Sequence, residues 1–306
     1  MKALILSCLF LCSISLVAQP PGMWEANNNL SVDDSEITIG DWYVFIWSAT
    51  VQDNDYGLND FKSSDFPSIS LMPDTALLDP YFRFVFRNAN RGINHEYEGP
   101  NYKEKQVYST RTKLAVPFVV EKGTLIPEDV FDFPITGISL EQANAYVMWR
   151  NAKLHIDKKT KGKWLVRLPS SAEWESIARS AYELSVSKAK DQALKNDLKN
   201  VYEGNGRNSK GCLLMNIIND NPCENDKKYM VKAKGGIFPA YAFFANQYGL
   251  YCMQGNVSEM TSEPGVAVGG NYTLTAKEAQ FNSKQEYKKP ETWLGFRCVA
   301  EKKKTN

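Results

Sequence analysis

The segment Gly249-Leu250-Tyr251-Cys252-Met253-Gln254-Gly255-Asn256-Val257-Ser258-Glu259-Met260 decides how this chain is read. Its glycines alternate with apolar residues, and it holds a single acid. That pattern describes a tight loop whose backbone carbonyls and carboxylate face a common point, and oxygens so arranged suit calcium. The competing reading makes Glu259 a buried carboxylate bonded to backbone amides. Working outward towards the N terminus, two segments each place a capping box ahead of a helix. Phe133-Pro134-Ile135-Thr136-Gly137-Ile138-Ser139 leads into Leu140-Glu141-Gln142, and Leu140, Ala143, Val147 and Trp149 roughly follow helical spacing. Arg167 ends a strand, Leu168-Pro169 sets up the turn, and Ser170-Ser171-Ala172-Glu173 opens a second helix with Trp174 and Ile177 facing inward. Trp174 reads as a core anchor. Towards the C terminus lie Gly269-Gly270-Asn271-Tyr272 and Gly295-Phe296-Arg297-Cys298.

The flanks are less regular. Thr38-Ile39-Gly40-Asp41 is a third capping box and introduces Trp42, Tyr43, Phe45, Ile46 and Trp47, which predicts a short buried helix. Residues 50 to 115 read as loops with short strands. Leu114 to Val120 is strand-like and ends in the turn Glu121-Lys122-Gly123. Val186 to Asn200, rich in Lys, Asp and Ala, predicts an exposed inserted helix with a solvated face. A short strand is expected over Gly236 to Phe244. One domain is expected over 36–300, after a polar lead-in at 19–35 and before a disordered charged tail at 301–306.

Composition removes several functions. The chain has 306 residues, 43% apolar and 23% charged, which is a globular balance. Lys and Arg total 36 against 35 for Asp and Glu, and the net charge of +1 argues against a nucleic-acid partner. With only His95 and His155, no three-histidine metal centre can be built. His95 reads as a surface residue and His155 as a helix C-terminal cap. Met1-Lys2 followed by the apolar run Ala3 to Val17 and by Ala18-Gln19 reads as a cleaved secretory signal over 1–18, too short for a membrane span. The protein is thus expected to be exported: periplasmic, outer-membrane associated or secreted. Four cysteines follow the signal: Cys212, Cys223, Cys252 and Cys298. They are compatible with two disulfides, the Cys212–Cys223 loop being the easiest to close and leaving Cys252 with Cys298, or with four buried thiols.

Taken in order, the segments at Phe133, Arg167, Gly249, Gly269 and Gly295 resemble the formylglycine-generating-enzyme, or sulfatase-modifying-factor, domain family, over roughly Glu36 to Ala300. The resemblance implies an α+β fold, complex and C-type-lectin-like, irregular, with short strands and few helices. It implies calcium positions at Cys252, Gly255, Val257 and Glu259, and a second group beginning at Asn216-Ile217 with Asp220 or Asp226 further on. Cys252 departs from that pattern, since a thiol there replaces a hard oxygen ligand. The oxidase members hold copper through two cysteines after the Gly-Gly-Ser segment, and the alignment places Leu274 and Ala279 there. No cysteine lies between Cys252 and Cys298, so no slip of alignment restores the pair.

Copper-dependent oxidation of a substrate cysteine is therefore not expected. The leading expectation is a non-catalytic cell-envelope protein that uses the scaffold to bind a protein partner, similar to gliding-motility and type IX secretion components of Bacteroidota. The contact surfaces would be the insertion from Gly57 to Tyr108 and the helix at 186–200. Two alternatives stand beside it. An enzyme with altered chemistry would need a deep pocket lined by Asn271, Tyr272, Glu278 and Arg297, with a strongly shifted carboxylate. A lectin-like binder would need intact calcium.

Overall fold

The computed structural model describes residues 18–50, 69–93, 100–125, 129–218, 236–243 and 245–304. Two strands, β1 (Met23–Asn27) and β2 (Leu30–Asp33), form an antiparallel hairpin where a polar lead-in was expected. The stretch looks polar because β2 buries Ser31 and Asp33 as well as Val32, which hides its apolar face from a sequence pattern. The expected capping box follows: Thr38 Oγ1 accepts from the Asp41 N–H at 3.1 Å, and Asp41 Oδ2 accepts from the Thr38 N–H at 3.3 Å. It starts α1 (Ile39–Thr50), in which every residue up to Ala49 is buried. A helix apolar on all sides must lie at the centre of the molecule, and α1 does.

The region 50–115, read as loops with short strands, contains a helix that was not expected, α2 (Pro80–Ile93), besides the strand β3 (Tyr102–Tyr108). Asp79 starts the helix by accepting from the Tyr81 N–H at 2.9 Å, and Phe82, Val85, Phe86 and Ala89 form its buried stripe. Asn and Arg between those residues obscure the stripe in the sequence. β3 pairs antiparallel with β4 (Ala115–Glu121), the strand expected at Leu114 to Val120, and this hairpin covers α1. There Tyr43 Oη donates to the Pro117 carbonyl at 2.8 Å. His95 and the segment 57–68 lie outside the described residues.

The remaining helices form where their capping boxes predict: α3 (Leu140–Ile156) behind Ser139 and Gln142, and α4 (Ser171–Lys188) behind Ser170 and Glu173. Between them runs β5 (Trp164–Arg167). Tyr146 of α3 stacks on Trp42 at 5.8 Å, and Phe296 meets Trp42 edge-on at 6.2 Å. The exposed helix after α4 is α5 (Gln192–Lys199), separate from α4 and without a buried residue. Gly236 to Phe243 is irregular rather than a strand, and Phe244 lies outside the described residues.

The C-terminal third supplies β6 (Ser258–Met260), β7 (Val266–Val268), β8 (Lys284–Glu286), β9 (Leu294–Gly295) and β10 (Val299–Lys302). One sheet runs β8-β7-β6-β9, with β6 parallel to β9. The other runs β1-β2-β10-β5, so the end of the chain lies between its beginning and its middle. Glu301 and Lys302, expected in a disordered tail, are therefore held in a ladder. The result is an α+β fold of short strands and few helices.

Candidate functional site

The parallel pairing of β6 with β9 sets Glu259 opposite Gly295 and brings Arg297 back beneath it. Both side chains are removed from solvent, Arg297 at 0% and Glu259 at 1% exposure. Arg297 Nε lies 2.8 and 2.7 Å from the two Glu259 oxygens, and Nη2 lies 2.7 Å from Oε1. The Trp174 indole N–H donates to Glu259 Oε2 at 2.6 Å. Arg297 also donates to the carbonyls of Asp33 at 3.2 Å, Tyr251 at 2.9 Å and Cys252 at 3.4 Å. A guanidinium thus sits against the one carboxylate assigned to calcium and against the backbone of Cys252, whose side chain takes the first assigned position. The Glu259 carboxylate is therefore paired with a cation that belongs to the chain.

A second group of buried charges adjoins the first, and sequence reasoning did not find it. Asp33 Oδ2 accepts from Arg150 Nη1 at 2.8 Å and from the Cys298 N–H at 2.8 Å. Arg111 reaches Asp34, lies 3.8 Å from Asp33 and 3.5 Å from Asp41, and donates to Ser35 Oγ at 2.8 Å. Burial pushes the Asp33 carboxyl up, but Arg150 and Arg111 outweigh it and hold the pKa below the usual range. Glu36 shows the opposite balance. Burial dominates and the Glu259 charge adds to it, against the pull of Arg297, so its pKa is pushed up to about 8. Asn256 Nδ2 donates to Glu36 Oε1 at 3.0 Å, while Oε2 is buried with no partner among the described residues. The only sequence signal for this group was Arg150 beside Trp149 on the inward side of a capped helix.

The four residues expected to line one cleft do not share it. Asn271 is buried, donating to Ser258 Oγ at 2.9 Å and accepting from Thr273. Tyr272 lies across Gly236 and lines a cavity of about 240 Å³ together with Asp79, Arg83 and Thr292. Glu278 is exposed and accepts from the Thr275 N–H and Oγ1 at 2.9 and 2.7 Å, which holds its pKa down. Arg297 is in the interior. The strongly shifted carboxylate is Glu36, which is none of the four, although Arg297 acts on it electrostatically.

Leu274 is half-buried on an open groove shared with Glu278, Lys277 and Lys284. Ala279 is fully buried, and a Cβ on Gly270 (φ +70°) would lie 2.4 Å from its methyl group. Gly255 (φ +77°) meets the Asn216 carbonyl just as closely, since a Cβ there would lie 2.3 Å from the oxygen. That carbonyl accepts from the Asn256 N–H at 2.7 Å, and Asn216 Nδ2 donates to the Gly236 carbonyl at 2.8 Å. Ile217 is buried beside them, and Asp220 and Asp226 lie outside the described residues.

Cys212 is disulfide-bonded, and Cys223 lies outside the described residues. The expected partnership of Cys252 with Cys298 does not form, since both are free and buried. They face different surroundings. Cys298 looks onto Asp33 and Arg150, whereas the Phe243 N–H donates to the Cys252 sulfur. Among the described residues, no group of three or more His, Cys, Asp or Glu side chains is placed to hold a metal.

The profile of one known family, described as the Sulfatase-modifying factor enzyme 1-like domain, matches residues 121–302. A comparison with curated proteins finds no match. Among solved structures, PvdO from Pseudomonas aeruginosa is similar at a TM-score of 0.45 and 13% identity, covering 89% of this chain and 80% of that one. CarF is similar at a TM-score of 0.43 and 13% identity, covering 91% of this chain and 92% of that one. Treponema denticola variable protein 1 is similar at a TM-score of 0.31 and 14% identity, covering 94% and 93%.

Proposed function

Because the chain belongs to the Sulfatase-modifying factor enzyme 1-like domain family, we propose that it is a non-catalytic member, a scaffold that binds a protein partner after export to the cell envelope. The observation that carries this reading is the pair Leu274 and Ala279. They stand where the resemblance places the copper cysteines, and neither side chain can bind a metal. The buried methyl of Ala279 backs onto Gly270, so the position is filled by packing. Cys252 begins the implied calcium loop with a thiol, and Arg297 already occupies Glu259. The C-type-lectin-like description of the fold is part of this proposal, while calcium-dependent lectin-like binding is an alternative to it.

Export rests on residues 1–18 as a signal. Among the described residues, no helix is long and apolar enough to cross a membrane. A role in a gliding-motility or type IX secretion assembly is the specific form of the proposal. The surfaces available for it are α5, which buries none of its residues, and the outer face of α2 and β3.

A direct test offers the mature protein Cu(I), oxygen and a cysteine-containing sulfatase peptide, then reads the peptide by mass spectrometry. The expected result is an unchanged cysteine, and conversion to formylglycine would overturn the proposal. Deleting residues 190–200 should leave the fold intact and weaken partner co-purification, whereas unchanged co-purification removes α5 from the contact surface.

A further inference from the structure

The cavity of about 240 Å³ beside Tyr272 lies between the start of α2 and the segments that carry Ile237, Tyr272 and Thr292. Asp79 and Arg83 both line it. They stand one helical turn apart, the spacing at which opposite charges on a helix ordinarily meet. Here they do not. Arg83 turns back instead, its Nε donating to the Leu78 carbonyl at 2.6 Å and its Nη2 to the Ala76 carbonyl at 3.1 Å. Ala76 and Leu78 also line the cavity, so the guanidinium is fixed at its wall, with its other N–H groups unused by any described residue. Asp79 Oδ1 accepts from the Tyr81 N–H at 2.9 Å, and the carboxylate meets no cation among the described residues. Hydroxyls add to the polar side. Tyr272 Oη donates to Thr292 Oγ1 at 3.2 Å, and Thr136, at 2% exposure, lines the cavity with a hydroxyl that has no partner among the described residues. Leu78, Phe82 and Ile237, all buried, give the cavity an apolar side.

We propose that this cavity binds a free apolar α-amino acid of leucine size, with its carboxylate on Arg83, its ammonium group facing Asp79 and its side chain against the apolar wall. Charge selects the class. A cation and an anion that face one small cavity without pairing match a zwitterion, which satisfies both at once. A ligand with a single charge would take water from the other residue without replacing its hydrogen bonds. Volume selects the size. An apolar cavity of about 150 Å³ holds benzene, so about 240 Å³ has room for roughly nine or ten non-hydrogen atoms, as in leucine. A few well-placed polar groups on an otherwise apolar wall are the usual make-up of a small-molecule site. Asp79 and Arg83 precede residues 121–302, the part of the chain that matches the family, so the two charges belong to this chain's own N-terminal segment. Neither Leu274 nor Ala279 lines the cavity, and the inference does not depend on the scaffold reading.

The test is isothermal titration calorimetry on the mature chain at pH 7 with L-leucine, L-leucinamide and 4-methylpentanoate. The two analogues keep the side chain and lack the carboxylate charge and the ammonium group in turn. The expected outcome is one leucine per chain, with each analogue at least about tenfold weaker, since each lacks one charged hydrogen-bonding group. Arg83 is exposed, so Arg83→Gln leaves the core intact. It should weaken leucine at least about tenfold and abolish the preference over leucinamide. Asp79→Asn keeps the helix cap, because asparagine caps as well as aspartate. It should abolish the preference over 4-methylpentanoate and retain that over leucinamide. No leucine binding up to about 10 mM, an analogue that binds wild type as tightly as leucine, or variants that keep both preferences would overturn the proposal.

Discussion

Two arginine–glutamate pairs come from the motifs that identify the family, and they differ in almost everything but chemistry. Arg297 and Glu259 are sealed in the interior, at 0% and 1% side-chain exposure. Arg167 and Glu173 sit at the end of β5 and the start of α4, at 30% and 32%. The buried pair is satisfied on every side by Trp174 and three backbone carbonyls. The outer pair shares its arginine with Glu301 and its glutamate with the helix cap. A buried ion pair is held because removing either member strands the other without water, not because the pair contributes much net stability. The outer pair loses little when one member goes, since water replaces it. The same two residue types therefore mark an essential joint in one place and a trim in the other.

The largest effect should follow from breaking the inner pair. Arg297→Met leaves Glu259 charged and buried and should cost about 3–5 kcal/mol in chemical denaturation. Added salt should not narrow the gap, because screening does not reach a buried pair. A loss below about 1 kcal/mol would show that the centre admits water, and the contrast with the outer pair would collapse.

Glu36 sharpens the comparison through pH. Its folded pKa of about 8 stands above the ordinary 4.5, so the native state keeps a proton that the unfolded chain releases. Stability from this group is full below the unfolded pKa, falls as pH rises through the window between the two values, and levels off above it. Glu36→Gln keeps an amide where the protonated acid stood, so it should flatten the slope and gain on wild type as the pH is raised. Parallel urea midpoints at about pH 5, 7 and 9 read this directly. Identical slopes would place Glu36 in contact with solvent.

The same burial explains what could be read in advance. Capping boxes at Thr38, Ser139 and Ser170 are local devices, spelled out over four residues, and all three helices start there. The strand at Ala115–Glu121 announced itself through a run of Val and Phe. Long-range pairings carried no such mark. Asp33 and Arg150 are 117 positions apart, and nothing near either residue signals the other. β2 was missed because its buried face carries Ser31 and Asp33, polar residues whose place inside is secured by distant partners. The candidate cleft failed for a related reason. Asn271 and Arg297 go into the core, Tyr272 to a cavity and Glu278 to solvent, and the motifs that carry Asn271, Tyr272 and Arg297 do not distinguish these directions.

The smallest expected effect lies at the outer pair, and two substitutions separate its parts. Glu173 Oε2 accepts from the Ser170 N–H at 2.9 Å, and its two oxygens accept from Arg167 at 2.8 and 2.6 Å. The Arg167 hydrogen bonds, outweighing burial, hold its pKa down at about 2. That stability is present above the unfolded pKa of 4.5 and is lost as the pH falls through about 2. Arg167→Ala removes the ion pair and leaves the cap, so it should cost about 0.5–1 kcal/mol once solvent screening is allowed for. Ser170→Ala removes the hydroxyl acceptor of the cap and should cost about 1 kcal/mol. Both changes touch Glu173, so the double variant should depart from additivity, with raised salt shrinking the Arg167→Ala cost and leaving that of Ser170→Ala in place. An Arg167→Ala cost that matches Arg297→Met and resists salt would mean that exposure does not separate the two pairs.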